Sequence, residues 1–434
     1  MVSLRPRARR AGIAALVVAA LAAAAALVLP HGGGDRAGRV LTRTSSTQIT
    51  AGVGWTHRWT AAPEGVTDAA GNAWDPDAGV VAGGSAPRAL GAGSPAPYRY
   101  TRSGTPTFTL PVPEPGTYAV TLSLSAPERG AAPEASVSVT LPGGDAREVR
   151  LAGTGAGRVR HAMVLVPVTG DAARLTVGAL RNLAGVAAVT ATMARTGTDP
   201  LRAELAEEFD GAAGTALLPG WRHELGGGGW GNGELQEYTQ DAANGALTGD
   251  GRLAVTARHD GGTYTSVRIR SAFEGLYGRI EGVLQVPPGR GLLPAFWMLG
   301  ADVATAGWPQ AGEIDLMESL GAGEPGTVHG TFHGPDGSER GWERPFTARP
   351  AGGPEKGMHR YGLEWWPGVL QWSVDGVVQA TLRREDLGAK QAWVFERPAY
   401  LLLNVAVGGR WPGIPPPSTP FPQTMYVDSV HWWR

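Results

Sequence analysis

Gly312-Glu313-Ile314-Asp315-Leu316-Met317-Glu318-Ser319 sets carboxylates at 313, 315 and 318 among bulky apolar residues of the kind strands favour. Side chains alternate along a strand with period 2, so Glu313 and Asp315 share a face. Strict alternation turns Glu318 away from them. One extra residue, a β-bulge at Leu316 or Met317, returns it. Coiled as a helix, the same stretch leaves Glu313 and Glu318 five apart and not neighbours. The strand-and-bulge reading predicts three carboxylates lining one cleft.

Such a set suits hydrolysis of a glycosidic bond. Two carboxyl groups roughly 5–5.5 Å apart serve a retaining reaction, one as nucleophile and the other as general acid and then base. A third between them shares a proton and moves both pKa values by like-charge proximity. A solvated acidic edge strand is the competing reading, and the flanking sequence decides.

The flanks are Pro294-Ala295-Phe296-Trp297-Met298-Leu299-Gly300 and Trp308-Pro309-Gln310-Ala311-Gly312 upstream, and His329-Gly330-Thr331-Phe332-His333-Gly334 downstream. With them the chain closely resembles glycoside hydrolase family 16, in particular its laminarinase-like endo-β-1,3-glucanases. The family's bulged E-x-D-x-x-E motif is matched by Glu313, Asp315 and Glu318, and ordered motifs continue the resemblance through residues 200–434. It implies a jelly-roll β-sandwich with a concave, open sugar groove. Glu313 is then the expected nucleophile, Glu318 the acid/base and Asp315 the assisting carboxylate.

The resemblance also places Trp230, Trp297 and Trp308 near the groove as sugar-stacking candidates, with a core role competing for Trp297. Asn232 and Arg268 are candidates for binding sugar hydroxyls, against a surface ion pair for Arg268. His333 is expected beside the acid/base or the leaving-group sugar, and Asn404 and Trp411 at the groove rim. No cofactor is implied for catalysis. Family members often carry a structural calcium on the convex face, and the matching oxygen donors are the carboxylates of Glu208 and Asp428 and the carbonyl of Gly251. Departures include Ser319 where Asn is common, Leu292-Leu293-Pro294 for Leu-Trp-Pro, and Glu281-Gly282-Val283 for Glu-Ala-Arg. The terminal His431-Trp432-Trp433-Arg434 reads as strand-end packing.

Composition agrees with an all-β protein of two β-sandwich domains. Gly 65 and Pro 34 in 434 residues suit many turns, and Cys 0 leaves no disulfide or thiolate-metal framework. A net charge of −1 gives no global field for nucleic acid or an anionic membrane. Residues 1–30 read as an export segment: Arg5, Arg7, Arg9 and Arg10 precede an apolar run from Ala11 to Leu29. That run also approaches membrane-spanning length, so a retained anchor stands beside a cleaved signal peptide. Both place the rest of the chain outside the cell. Residues 31–47 read as a linker.

Residues 48–195 read as a separate sandwich, from alternating stretches such as Ala119–Leu124 and Ala135–Thr140 between Gly/Pro turns. Asp68–Asp77, Tyr98-Arg99-Tyr100 and Phe108–Tyr118 resemble malectin-type carbohydrate-binding domains. This makes Trp74, Tyr98 and Tyr100 sugar-platform candidates, against loop or core packing. Leu201–Glu207 reads as a short helical lead-in to the domain 196–434. The expected activity is endo-hydrolysis of β-1,3-glucan. A mixed-linkage β-1,3-1,4-glucanase and a β-galactan hydrolase are alternatives, and a non-catalytic glucan-recognition protein is an alternative of another class. Such recognition proteins typically lose one of the acids, and all three stand here. The expected partner is a polysaccharide, with no nucleic acid and no protein partner evident.

Overall fold

In a computed structural model, residues 51–90, 94–127, 132–154, 158–216 and 219–434 are described; the expected export or anchor segment 1–30 and linker 31–47 lie outside them. Alternating stretches between Gly- and Pro-rich turns become antiparallel strands, which bury their apolar faces by stacking as two sandwiches. In the N-terminal one, Val159–Val168, Gly116–Ser125, Gly185–Arg195 and Thr56–Thr60 are neighbours in a 6-stranded sheet. Gly116–Ser125 and Gly185–Arg195 are its buried middle.

The C-terminal sandwich presents a 7-stranded sheet ordered Trp221–His223, Arg268–Ser271, Ala399–Val407, Leu292–Gly300, Glu313–Glu318, Val328–Gly334 and Trp342–Ala348. Behind it lies a sheet whose centre is Gln423–Trp433, Gly278–Gln285, His359–Trp366, Val369–Val374 and Val377–Arg383. This rear sheet does not stop at the domain edge. Arg150 and Leu151 of the N-terminal sandwich pair in parallel with Val377 and Val378, making one 15-stranded sheet through both halves.

Side chains seal the seam. The Met163 amide donates to Gln371 Oε1 at 3.0 Å, and Thr381 Oγ1 donates to the His161 carbonyl at 3.1 Å. Arg383, 3% exposed, donates to Tyr98 Oη at 2.7 Å and pairs with Glu385 and Asp386. Burial opposes its charge, but Asp386, Tyr98 and Glu385 outweigh that and hold it above the usual arginine range. Burial pushes His161 down to about 3, so it sits neutral against this cation.

Three expectations change here. Leu201–Glu207 is not helical: Ala203–Glu207 is a strand along Gln423–Trp433, because pairing with a terminal strand outweighs a short segment's helix propensity. Trp74 is 1% exposed, packs edge-on against Tyr98 and donates to Asp68 Oδ2 at 2.9 Å, so it is no platform. Tyr98 is consumed by the seam with Arg383, which leaves Tyr100 alone half-exposed. The departures have packing reasons. A Cβ on Gly282 would stand 2.5 Å from the Phe296 ring, and Leu293 packs with Leu320, Ala406 and Trp411. Trp432 is fully buried and donates to the Tyr277 carbonyl at 2.8 Å, as strand-end packing requires.

Candidate active site

The catalytic strand carries its bulge at Leu316. Against Leu292–Gly300, Phe296 pairs with Met317 and Trp297 with Asp315, so Leu316 is left without a partner. The Val328–Gly334 side shows the same slip between Asp315 and Glu318. Leu316 and Met317 therefore both point into the core, and Glu318 returns to the groove beside Glu313 and Asp315. Trp372 pins this geometry from below, its indole N–H donating to the Leu316 carbonyl at 2.8 Å. Gly330 makes room for that indole: a Cβ there would stand 2.6 Å from the ring. The glycine of His329-Gly330-Thr331 is thus required by the device that turns Glu318.

Glu313, Asp315 and His333 converge, with polar atoms within 4.8 Å of one another. His333 Nε2 lies 3.0 Å from Asp315 Oδ2 and 3.7 Å from Glu313 Oε1. Burial alone would push His333 down, but the Asp315 hydrogen bond and the charges of Asp315, Glu313 and Glu343 hold it at about 9. It is an imidazolium at neutral pH. Burial and then Asp315 push Glu313 up to about 8, while His333, Arg268 and the Trp308 indole work against the rise. Burial, Asp315, Glu313 and Glu343 hold Glu318 well above the usual carboxylate range. The upward shift suits Glu318 to giving a proton, and the His333 cation draws Glu313 back toward its ionised form against burial and Asp315.

Toward the 221–223 edge the groove wall is built from closed contacts. Arg268, 6% exposed, is stacked between Trp230 and Trp297, its guanidinium carbon 4.7 Å from each ring centre, and donates to Glu224 Oε2 at 2.6 Å. Trp297 donates to Asn404 Oδ1 at 2.8 Å, and Asn404 Nδ2 donates to Tyr238 Oη at 3.2 Å. Arg268 and Asn404 thus position the tryptophans, beyond the direct hydroxyl contacts expected of Arg268. Trp297 is both buried and groove-lining, which joins the two competing readings. Asn232 and Trp411 line the groove as expected, and Trp411 meets His329 edge-on at 4.9 Å. Trp308 packs against the cluster that holds Trp297 and faces His333, ring centres 6.0 Å apart.

Sequence reasoning passed over Glu234, Glu324, His329, Thr331 and Glu343, which also line the groove. His329 and Thr331 stand inside the downstream flank and were available. Glu343 had no signal: only the register opposite His333 brings it in. The residues expected to hold calcium lie along the rear sheet. Glu207 pairs with Val430 and Leu253 with Val427, so Glu208 and Gly251 flank the Asp428 stretch from both sides. The Asp210 carboxylate stands 3.4 Å from the Gly251 Cβ position, adding a further oxygen. The Glu208 carboxylate meets His431 Nε2 at 2.7 Å, so among the described residues these donors do not form a free set for the expected calcium.

Comparison with known proteins meets this geometry. The model of glycosyl hydrolases family 16 matches residues 233–428. A β-glucanase of Rhodothermus marinus is 39% identical over 249 residues, covering 52% of this chain and 83% of that protein. The chain belongs to glycosyl hydrolase family 16. A glucan endo-1,3-β-glucosidase of Cryptopygus antarcticus is 34% identical over 229 residues, covering 48% and 80%. The solved catalytic domain of a Thermotoga petrophila laminarinase is 37% identical, covers 54% of this chain and 98% of that one, and has a TM-score of 0.49. As a family 16 member the chain is a glycoside hydrolase, and its acids stand in the groove of the C-terminal sandwich.

Proposed function

We propose that this family 16 enzyme hydrolyses internal β-1,3-glucosidic bonds of β-glucans such as laminarin, with retention of anomeric configuration. The observation that carries the reading is the Leu316 bulge, which sets Glu318 in one groove with Glu313 and Asp315. Glu313 attacks the anomeric carbon as Glu318 gives its proton to the departing glycosidic oxygen, leaving a glycosyl-enzyme ester. Glu318, now ionised, takes a proton from water; the water oxygen bonds to the anomeric carbon and Glu313 departs. Positive charge developing on the sugar stabilises anionic Glu313, and Asp315 with His333 fixes the local charge. The β-1,3 linkage is supported by the relatives named for it. An extracellular polymer also suits the export or anchor segment read in residues 1–30.

The test compares laminarin, mixed-linkage glucan and a β-galactan, following the first product by NMR. Laminarin is expected to be cut fastest, giving the β-anomer first. Faster release from another polymer overturns the substrate, and an initial α-anomer overturns retention. Glu318→Gln is expected to lower turnover by about 10²–10⁴-fold.

A further inference from the structure

Every groove acid outside the catalytic strand has a bonded neighbour except one. Glu234 accepts from Gln236 at 2.7 Å, and Glu324 meets His329 at 3.1 Å. Glu343 lies in the groove wall, half-buried, two strands beyond the catalytic acids and directly across from His333. Among the described residues its carboxylate has no hydrogen bond or ion pair; only its backbone carbonyl is used, accepting from Arg344 Nη1 at 3.1 Å. The Arg344 guanidinium is held elsewhere, by Gln391 at 2.7 Å, and His333 is committed to Asp315.

A carboxylate with free oxygens facing a sugar groove accepts hydrogen bonds from two hydroxyls and offers nothing to an anion. We infer that Glu343 is a specificity-determining residue, which holds hydroxyls of the sugar unit bound on the His333 side and rejects sulfated or carboxylated sugars there. This rests on the neutral-glucan reading of the groove. The charge has a second effect. The ionisable groups facing Glu318 are Asp315 and Glu313 on its own strand, His329 across the pairing and Glu343 beyond. Glu343 thus helps to keep Glu318 protonated.

The test is Glu343→Gln in the full chain, assayed on neutral laminarin oligosaccharides and on carboxymethylated β-1,3-glucan at low and high salt. KM for the neutral substrate is expected to rise about five- to tenfold, the loss of a charge-assisted hydrogen bond. The preference for neutral over carboxymethylated polymer is expected to shrink at low salt, and less so when salt screens the charge. The alkaline limb of kcat should move to lower pH, because removing a neighbouring anion eases ionisation of Glu318. Glu343→Asp should restore the limb and the preference. Unchanged KM, preference and pH limb would overturn the inference while leaving the β-glucanase reading intact. A wild-type protein inactive on every neutral glucan would overturn that reading, and this inference with it.

Discussion

The two sides of the groove are built on opposite plans. Toward the 221–223 edge, Arg268, Trp297, Asn404 and Tyr238 satisfy one another, and the polar atoms are largely spent inside the protein. Toward the 342–348 edge, the Glu343 carboxylate lines the groove with no partner among the described residues. A finished network makes a rigid platform that binds by shape and stacking. Open valences recognise by hydrogen bonds that form only with a ligand. The first side is tied to stability, the second to substrate.

The sharpest way to break this contrast is a pair of tryptophan truncations. Trp297→Ala should cost about 3–5 kcal/mol of stability and unseat Arg268 and Asn404. Trp308→Ala should raise KM with a much smaller change in melting temperature. Equal losses of stability at both positions would erase the distinction between the networked tryptophan and the one that faces His333.

His333→Gln tests the centre, where the sides meet. The imidazolium favours ionised Glu313, so its removal should raise the Glu313 pKa and move the acid limb of kcat/KM to higher pH. A limb that stays in place would remove His333 from the charge balance.

The smallest effect is thermodynamic. Glu318 has a folded pKa raised above its unfolded value near 4.5. Above that pH the unfolded chain ionises first and the folded state loses relative stability. Glu318→Gln cannot ionise, so it should melt higher than wild type at pH 7, with the gap closing toward pH 4. Each ~1 kcal/mol recovered corresponds to about 2–4 °C. A gap that widens toward acid pH would contradict the direction of the shift.

Much of the catalytic centre was legible because strand alternation is a local rule. Three acids at 313, 315 and 318 needed one extra residue, and the bulge was predictable to within Leu316 or Met317. Trp372 and Gly330, which hold the bulge, were not, since their meeting depends on how one sheet stacks on the other. The aromatics misled for the same reason. Trp74 and Tyr98 read alike as exposed platforms or as packing, and only their contacts with each other and with Ala187 and Ala188, and that of Tyr98 with Arg383, show that they are packing.

Sequence alone determined the all-β class and the acid triplet, because period-2 alternation is written within a few residues, and the reaction followed from the resemblance carried by the flanking motifs. Tertiary structure decided which acids lie beyond the motif, which tryptophans face the groove, and that the sandwiches share one sheet. Those facts rest on register and stacking between segments far apart in the chain. His333 opposite Glu343 and Arg150 beside Val377 are such pairings, and no local pattern encodes them.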